Sequence, residues 1–231
     1  MPAKPLPEWE RVLSAAAHLQ RLLPGAVLVG GTAAAAHEGH RLSVDADHVV
    51  PDLRERFDEV LAQLESVAGW KTARVRRPVL VLGSLDGIET GIRQLIRSAP
   101  LETETVPAPG GQSVVVPTRP EMLRIKAILI LKRNATRDYL DFAALAQSLG
   151  TDGVAAALAP LDALYPQDNG ASPLQQLLVQ LASPMPFDLD GTDLTEYKRL
   201  VPEWRNWNKL KTFCEELAAA LLRKGQKGHT P

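Results

Sequence analysis

The chain has 231 residues, 45% apolar and 23% charged, with 26 Lys and Arg against 27 Asp and Glu and a formal net charge of -1. That length allows one large domain or two small ones around a proper core, and the composition excludes wholesale disorder and low-complexity polymer. Balanced charge excludes a global polyanion-binding field, so a nucleic-acid partner would need a local patch. Cys214 is the sole cysteine, which excludes an internal disulfide and a thiol zinc site and suits a reducing compartment. Prolines interrupt the opening Met1 to Pro7 where a signal peptide needs an unbroken apolar run, and no stretch of about 18 apolar residues follows. A soluble cytoplasmic protein with no membrane partner is expected.

In chain order, Trp9 to Leu23 has helical spacing and stops at Pro24-Gly25. A buried strand, Ala26 to Val29, runs into Gly30-Gly31, and Thr32 opens a short alanine-rich helix ending near Gly39. Val44 to Val50 returns as strand, and Pro51-Asp52 starts a helix over Leu53 to Val67. Val79 to Leu82, a Gly83-to-Gly87 turn and Ile88 to Ile96 read as a hairpin, with a helix over Ile92 to Ile96 as the alternative. A second hairpin spans Glu102 to Val116 across Pro109-Gly110-Gly111. Helices are then expected over Arg119–Lys132, Thr136–Leu149, Gly153–Leu164, Pro173–Ala182 and Pro202–Arg223, with Ser183 to Asp193 as an exposed loop. The chain thus divides into an α/β unit over 1–117 and a helical unit over 118–231.

The candidate site lies in Val27-Leu28-Val29-Gly30-Gly31-Thr32 and, further on, Ser43-Val44-Asp45-Ala46-Asp47. Acidic i,i+2 pairs are common; four occur here, so context must separate them. Asp45 and Asp47 sit beside Val44, Val49 and Val50, which reads as a strand with both carboxylates on one face. Two carboxylates so placed repel unless a cation lies between them, and Mg²⁺ with a phosphate substrate fits such hard oxygen ligands. A strand ending in two glycines at a helix N-terminus lets backbone amides approach a triphosphate. Thr32 can cap that helix or face a phosphate oxygen. Taken singly, the glycines are an ordinary turn and the aspartates a solvated strand edge.

In this order, with thirteen residues between Gly31 and Asp45, the elements resemble the signature of the DNA polymerase β-like nucleotidyltransferases. The version here, Gly-Gly-Thr, an alanine helix, then His40-Arg41-x-Ser43-x-Asp45-x-Asp47, is most similar to the AbiEii/MenA branch, toxins of type IV toxin-antitoxin systems. The resemblance covers about Pro7 to Leu149 and implies an α/β (α+β) fold: a minimal mixed sheet flanked by helices, then a helical C-terminal region. It implies Mg²⁺ held by Asp45, Asp47 and a third carboxylate, for which Glu89 is preferred over Asp86, although the family more often has Asp there. It implies an NTP bound at Gly30, Gly31, Thr32 and Ser43, Lys126 on the phosphates, and Asp138 as a polar partner in the catalytic set. The reaction expected is transfer of an NMP to a hydroxyl of a tRNA 3′ end or a protein, with an antitoxin as a further partner. The rival readings are an inactive binding module of the same fold and a small-molecule, antibiotic-type nucleotidyltransferase. Without the resemblance, Lys126 reads as a snorkelling surface lysine, Arg137 and Asp138 as a surface ion pair, and Glu89 as an exposed strand residue.

Other features carry less. His37-Glu38-Gly39-His40 has its histidines three apart, not four as in H-E-x-x-H. Asp188 to Asp193 lacks the spacing and closing glutamate of a calcium loop and reads as solvated. Trp204, Trp207 and Phe213, among Arg205, Lys209 and Lys211, could grip RNA, but their helical spacing favours packing. Lys224, Lys227 and His229 make a weakly basic tail.

Overall fold

A computed structural model describes residues 8–227, so the opening heptapeptide and His229 lie outside the described residues. The chain divides into two compact units. The first runs through Ala36 and resumes over Ser43–Thr118; the second takes His37–Leu42 and the chain from Arg119 onward.

In the first unit, helix α1 (Glu8–Leu22) precedes strand β1 (Val27–Leu28), helix α2 (Gly30–Glu38, its last residues in the second unit) and strand β2 (Ala46–Val50). Helix α3 (Phe57–Glu65), strands β3 (Trp70–Arg76), β4 (Leu80–Leu85) and β5 (Ile88–Gln94), and a hairpin of β6 (Thr103–Ala108) with β7 (Gln112–Pro117) follow. The main sheet has the order β1-β2-β5-β4-β3, antiparallel throughout except for the parallel β2/β5 pair. Ala46, His48 and Val50 of β2 are buried, while Asp47 and Val49 alternate onto the more open face. Val50, Ile92, Val81 and Leu85 join Leu19, Leu23, Phe57, Val60 and Leu64 in the core, so one face of the sheet is packed by α1 and α3.

The expected β-rich pattern holds, with several differences; the turn expected over Gly83 to Gly87 shrinks to Asp86-Gly87, because Gly83, Ser84 and Leu85 pair with β5 as the end of β4. The aspartate pair is not wholly within a strand, because β2 begins at Ala46 and Asp45 immediately precedes it. Helix α3 starts at Phe57, since Pro51 to Glu55 form turns that bury Leu53 ahead of it. Strand β3 was not legible: most of it is exposed at the sheet edge, and Lys71, Arg74 and Arg76 give it the charge that discourages edge-to-edge pairing.

The second unit contains α4 (Arg119–Arg133), α5 (Thr136–Leu158), α6 (Leu161–Leu164), α7 (Pro173–Ala182) and α8 (Trp207–Lys227). Gly150, at φ 66° and ψ 166°, breaks the helical geometry inside α5 where the sequence suggests two helices. Pro202–Arg205 forms a separate 3₁₀ turn before α8, so the last helix starts later than expected. Trp204 packs edge-on against Phe213 at 5.3 Å and Trp207 against Tyr139 at 5.9 Å, consistent with packing. The Asp188 to Asp193 segment is not simply solvated: Asp188 accepts from the Thr136 amide and hydroxyl, both at 2.7 Å, tying down the start of α5.

Candidate functional site

The site in the first unit grows from the β1–α2 turn. Gly30 has φ +76°, a left-handed conformation that lets the chain leave β1 and enter α2 at once. The Val29 amide donates to the Asp47 carbonyl at 2.8 Å, which fixes the turn beside β2. A Cβ at Gly30 would lie 3.4 Å from the Asp47 Cβ, so the turn presses closely on that aspartate. Gly31 follows in the first turn of α2. The Thr32 hydroxyl donates to the Asp45 carbonyl at 2.5 Å. Its single hydrogen is therefore committed to holding the backbone at Asp45. Ser43 is buried just before the acidic pair.

The neighbouring strand completes the picture. In the β2/β5 register Asp47 pairs with Gly91 and Val49 with Arg93. The pairing begins at Ala46 opposite Thr90, with Asp45 and Glu89 each one residue before it. A Cβ at Gly91 would meet Asp47 Oδ1 at 2.2 Å, so the carboxylate leans into space that only a glycine leaves open. Arg93 Nε lies 3.9 Å from Asp47 Oδ1, both side chains being partly exposed. The face thus reads Glu89, then Asp47 and Gly91, then Val49 and Arg93. Among the described residues no three His, Cys, Asp or Glu side chains come together as a metal cluster. Asp47 and the exposed Glu89 alternate onto one face, with Asp45 just ahead of β2, and they close no triad. All three offer hard oxygens, and Asp47 keeps 35% of its side-chain surface open, so the residues present suit Mg²⁺, which needs only one or two protein carboxylates with phosphate oxygens.

Lys126 and Asp138 belong to the second unit and meet in a buried cluster there. The Lys126 side chain is 1% exposed; Nζ lies 2.7 Å from Asp141 Oδ2 and 3.8 Å from Asp138 Oδ1. It is therefore neither a surface lysine nor open to a cleft. Asp138 is fully buried and takes a two-pronged contact from Arg133, with Arg133 Nε donating to Oδ2 at 2.7 Å, so its partner is Arg133 rather than Arg137. The hub is Asp141. Arg41 donates to it through Nε at 2.7 Å and Nη2 at 3.0 Å, and His40 Nε2 lies 2.8 Å away. Burial disfavours the charge of Asp141, but Arg41, Lys126 and the hydrogen bonds from His40 and Arg41 outweigh it and hold the carboxyl well below the usual range.

Sequence reasoning missed Gly91, Arg93 and Asp141. The first two share Glu89's alternation along β5, and Asp141 stands one helical turn after Asp138. His48, beside Asp47 but on the packed face, is pushed down to about 4 by burial, against a hydrogen bond with the Ala46 carbonyl.

A glycine turn delivering a helix N-terminus to an acidic strand in a mixed sheet defines a nucleotidyltransferase-like fold. JHP933 from Helicobacter pylori shares it with a TM-score of 0.52 at 15% identity, over 96% of this chain and 92% of that one. A second H. pylori structure, a putative nucleotidyltransferase, gives 0.52 and 15% over 96% and 97%. The family model described as nucleotidyl transferase AbiEii toxin, type IV TA system, matches residues 11–221. The chain belongs to that family, and the membership reaches through the C-terminal helices, well past Leu149. Part of the chain is also similar to much longer mycobacterial proteins. The heme uptake protein MmpL11 of Mycobacterium tuberculosis and the probable transport protein MmpL11 of Mycobacterium bovis are each 34% identical over 136 residues. The match takes 56% of this chain and spans 13% of the length of those relatives. Among the described residues no helix is long and apolar enough to cross a membrane.

Proposed function

We propose that the chain transfers an NMP from an NTP to an acceptor hydroxyl at the Asp45/Asp47 face of its sheet, with Mg²⁺ as cofactor. The carrying observation is Asp47, seated between Gly30 and Gly91 with its carboxylate over the space Gly91 leaves open. Asp45 and Asp47 would hold the ion, with Glu89 reaching in from the next strand. Bound there, Mg²⁺ would neutralise charge on the phosphates and on the pyrophosphate leaving group. The backbone amides opening α2 at Gly30, Gly31 and Thr32 suit the triphosphate, and Ser43 is assigned to the same nucleotide site from its place just before Asp45. Arg93 adds a cation beside Asp47. The acceptor oxygen attacks the α-phosphorus, the bond to the β-phosphate oxygen breaks, and pyrophosphate leaves; an aspartate carboxylate or water takes the hydroxyl proton.

Lys126 and Asp138 support this chemistry from their cluster with Asp141, which sets the His40-Arg41 segment directly before Ser43 in the chain. By analogy with the toxin family, the proposed acceptor is a hydroxyl of a tRNA 3′ end or of a protein, in the cytoplasm, with an antitoxin as the opposing partner. The test is transfer of label from α-labelled NTPs with Mg²⁺ and with chelator. Asp47→Ala should abolish transfer while circular dichroism is unchanged, and Asp45→Ala should relieve any growth arrest caused by expression. Wild-type transfer by Asp47→Ala refutes the mechanism.

A further inference from the structure

A cavity of about 330 Å³ opens in the first unit further along the sheet face that carries Asp47. Its walls include Val27, Val49, Leu95, Leu101 and Val115. Val27 and Val49 are register partners, and Leu95 follows Arg93 by two residues, so the acidic pair, Arg93 and the apolar cavity succeed one another along one surface. Gln20 lines it too, its amide donating to the Val115 carbonyl and accepting from the Val115 amide, both at 2.8 Å, and Thr103 brings a hydroxyl.

These facts select among acceptors. An RNA end would bring phosphates, and the lining contains neither Lys nor Arg to meet them; its polar side chains are Thr103 and the Gln20 amide already tied to β7. An apolar side chain needs none of these. Asp47 and Val49 are one i,i+2 step apart, roughly 6.6 Å, which is also the step between same-side residues of an extended peptide. Resting on the nucleotidyl-transfer reading above, we propose that the cavity seats an apolar side chain of a protein acceptor, two residues from the serine or threonine hydroxyl that receives the nucleotide. The acceptor would thus be chosen by an apolar neighbour and modified over Asp45 and Asp47.

The test uses the full chain and two short labelled peptides, identical except for Leu or Asp at the second position after a single serine. Fluorescence anisotropy should show the Leu peptide binding roughly tenfold or more tightly, the expected effect of burying one large apolar side chain. Leu95→Trp, which fills the cavity, should remove that preference, and Leu101→Trp, on a different wall, should do the same. Both variants should keep wild-type NTP binding, which shows that they fold. Asp47→Ala should lose label transfer to the Leu peptide and keep its binding, separating failure of the chemistry from failure of the pocket. Equal binding of the two peptides, or a preference that survives both tryptophan variants, overturns the proposal. So does transfer to tRNA that neither tryptophan alters.

Discussion

Replacing Gly91 with alanine isolates the geometry at Asp47. The new Cβ would lie 2.2 Å from Asp47 Oδ1 and 3.2 Å from Leu82 Cδ2. The backbone of β5 is held on both sides by β2 and β4, so the carboxylate must yield, by about 1 Å to reach ordinary contact. A displacement of that size at a reacting centre costs roughly 10²-fold in rate, or about 2.7 kcal/mol of barrier. Stability should respond differently. Alanine is preferred over glycine inside a strand by roughly 0.5–1 kcal/mol, which offsets the small shift asked of Leu82. Transfer of labelled NMP should therefore fall about a hundredfold while the urea midpoint stays close to wild type. Gly83→Ala is the converse control, because its Cβ would meet the Lys71 carbonyl and the Trp70 ring at 2.6 Å, away from the carboxylates. It should lower the midpoint. Transfer by Gly91→Ala within twofold of wild type would refute the assignment of Asp47 to the reacting centre.

Asp141→Asn leaves Arg41 and Lys126 buried without their shared anion, a loss of about 3–5 kcal/mol by analogy with other broken buried pairs. Calorimetry should show Tm falling on the order of 10 °C; an unchanged Tm would mean that the cluster is not a structural hub. His48 gives a pH signature. Its folded pKa of about 4 lies below the unfolded value near 6.5, so its buried neutral form contributes stability above pH 6.5 that is lost as pH falls toward 4. The shift corresponds to about 3 kcal/mol. Urea midpoints from pH 7 to pH 4 should fall more steeply for the wild type than for His48→Leu, and parallel curves would remove His48 from the account.

The periodic parts of the fold were legible because local pattern and burial agree. The alternation of β2, the breaker at Pro24-Gly25 and the hairpin across Pro109-Gly110-Gly111 each carry their own cue. Strand β3 lacks one, since an exposed edge has no buried face to imprint on the sequence. The acidic pair and the glycine turn were legible as a motif, but the importance of Gly91 was not: it depends on the β2/β5 register, a pairing between residues more than forty apart in the chain. Asp141 was hidden for the same reason, as its partners Arg41 and His40 lie about a hundred residues earlier.

Burial sorts the acids that the sequence grouped together. Asp138 and Asp141 are fully buried and matched by Arg133, Lys126 and Arg41 at salt-bridge distance. A carboxylate so satisfied has little to gain from another cation. Asp47 keeps 35% of its side-chain surface, and Arg93 stops at 3.9 Å. An exposed pair at that distance holds its partners weakly, which leaves the carboxylate able to exchange a guanidinium for a metal ion and phosphate. The near-zero net charge is therefore the sum of two arrangements: charges locked together among the helices to keep a fold, and charges set close on the sheet but left open for a ligand to complete.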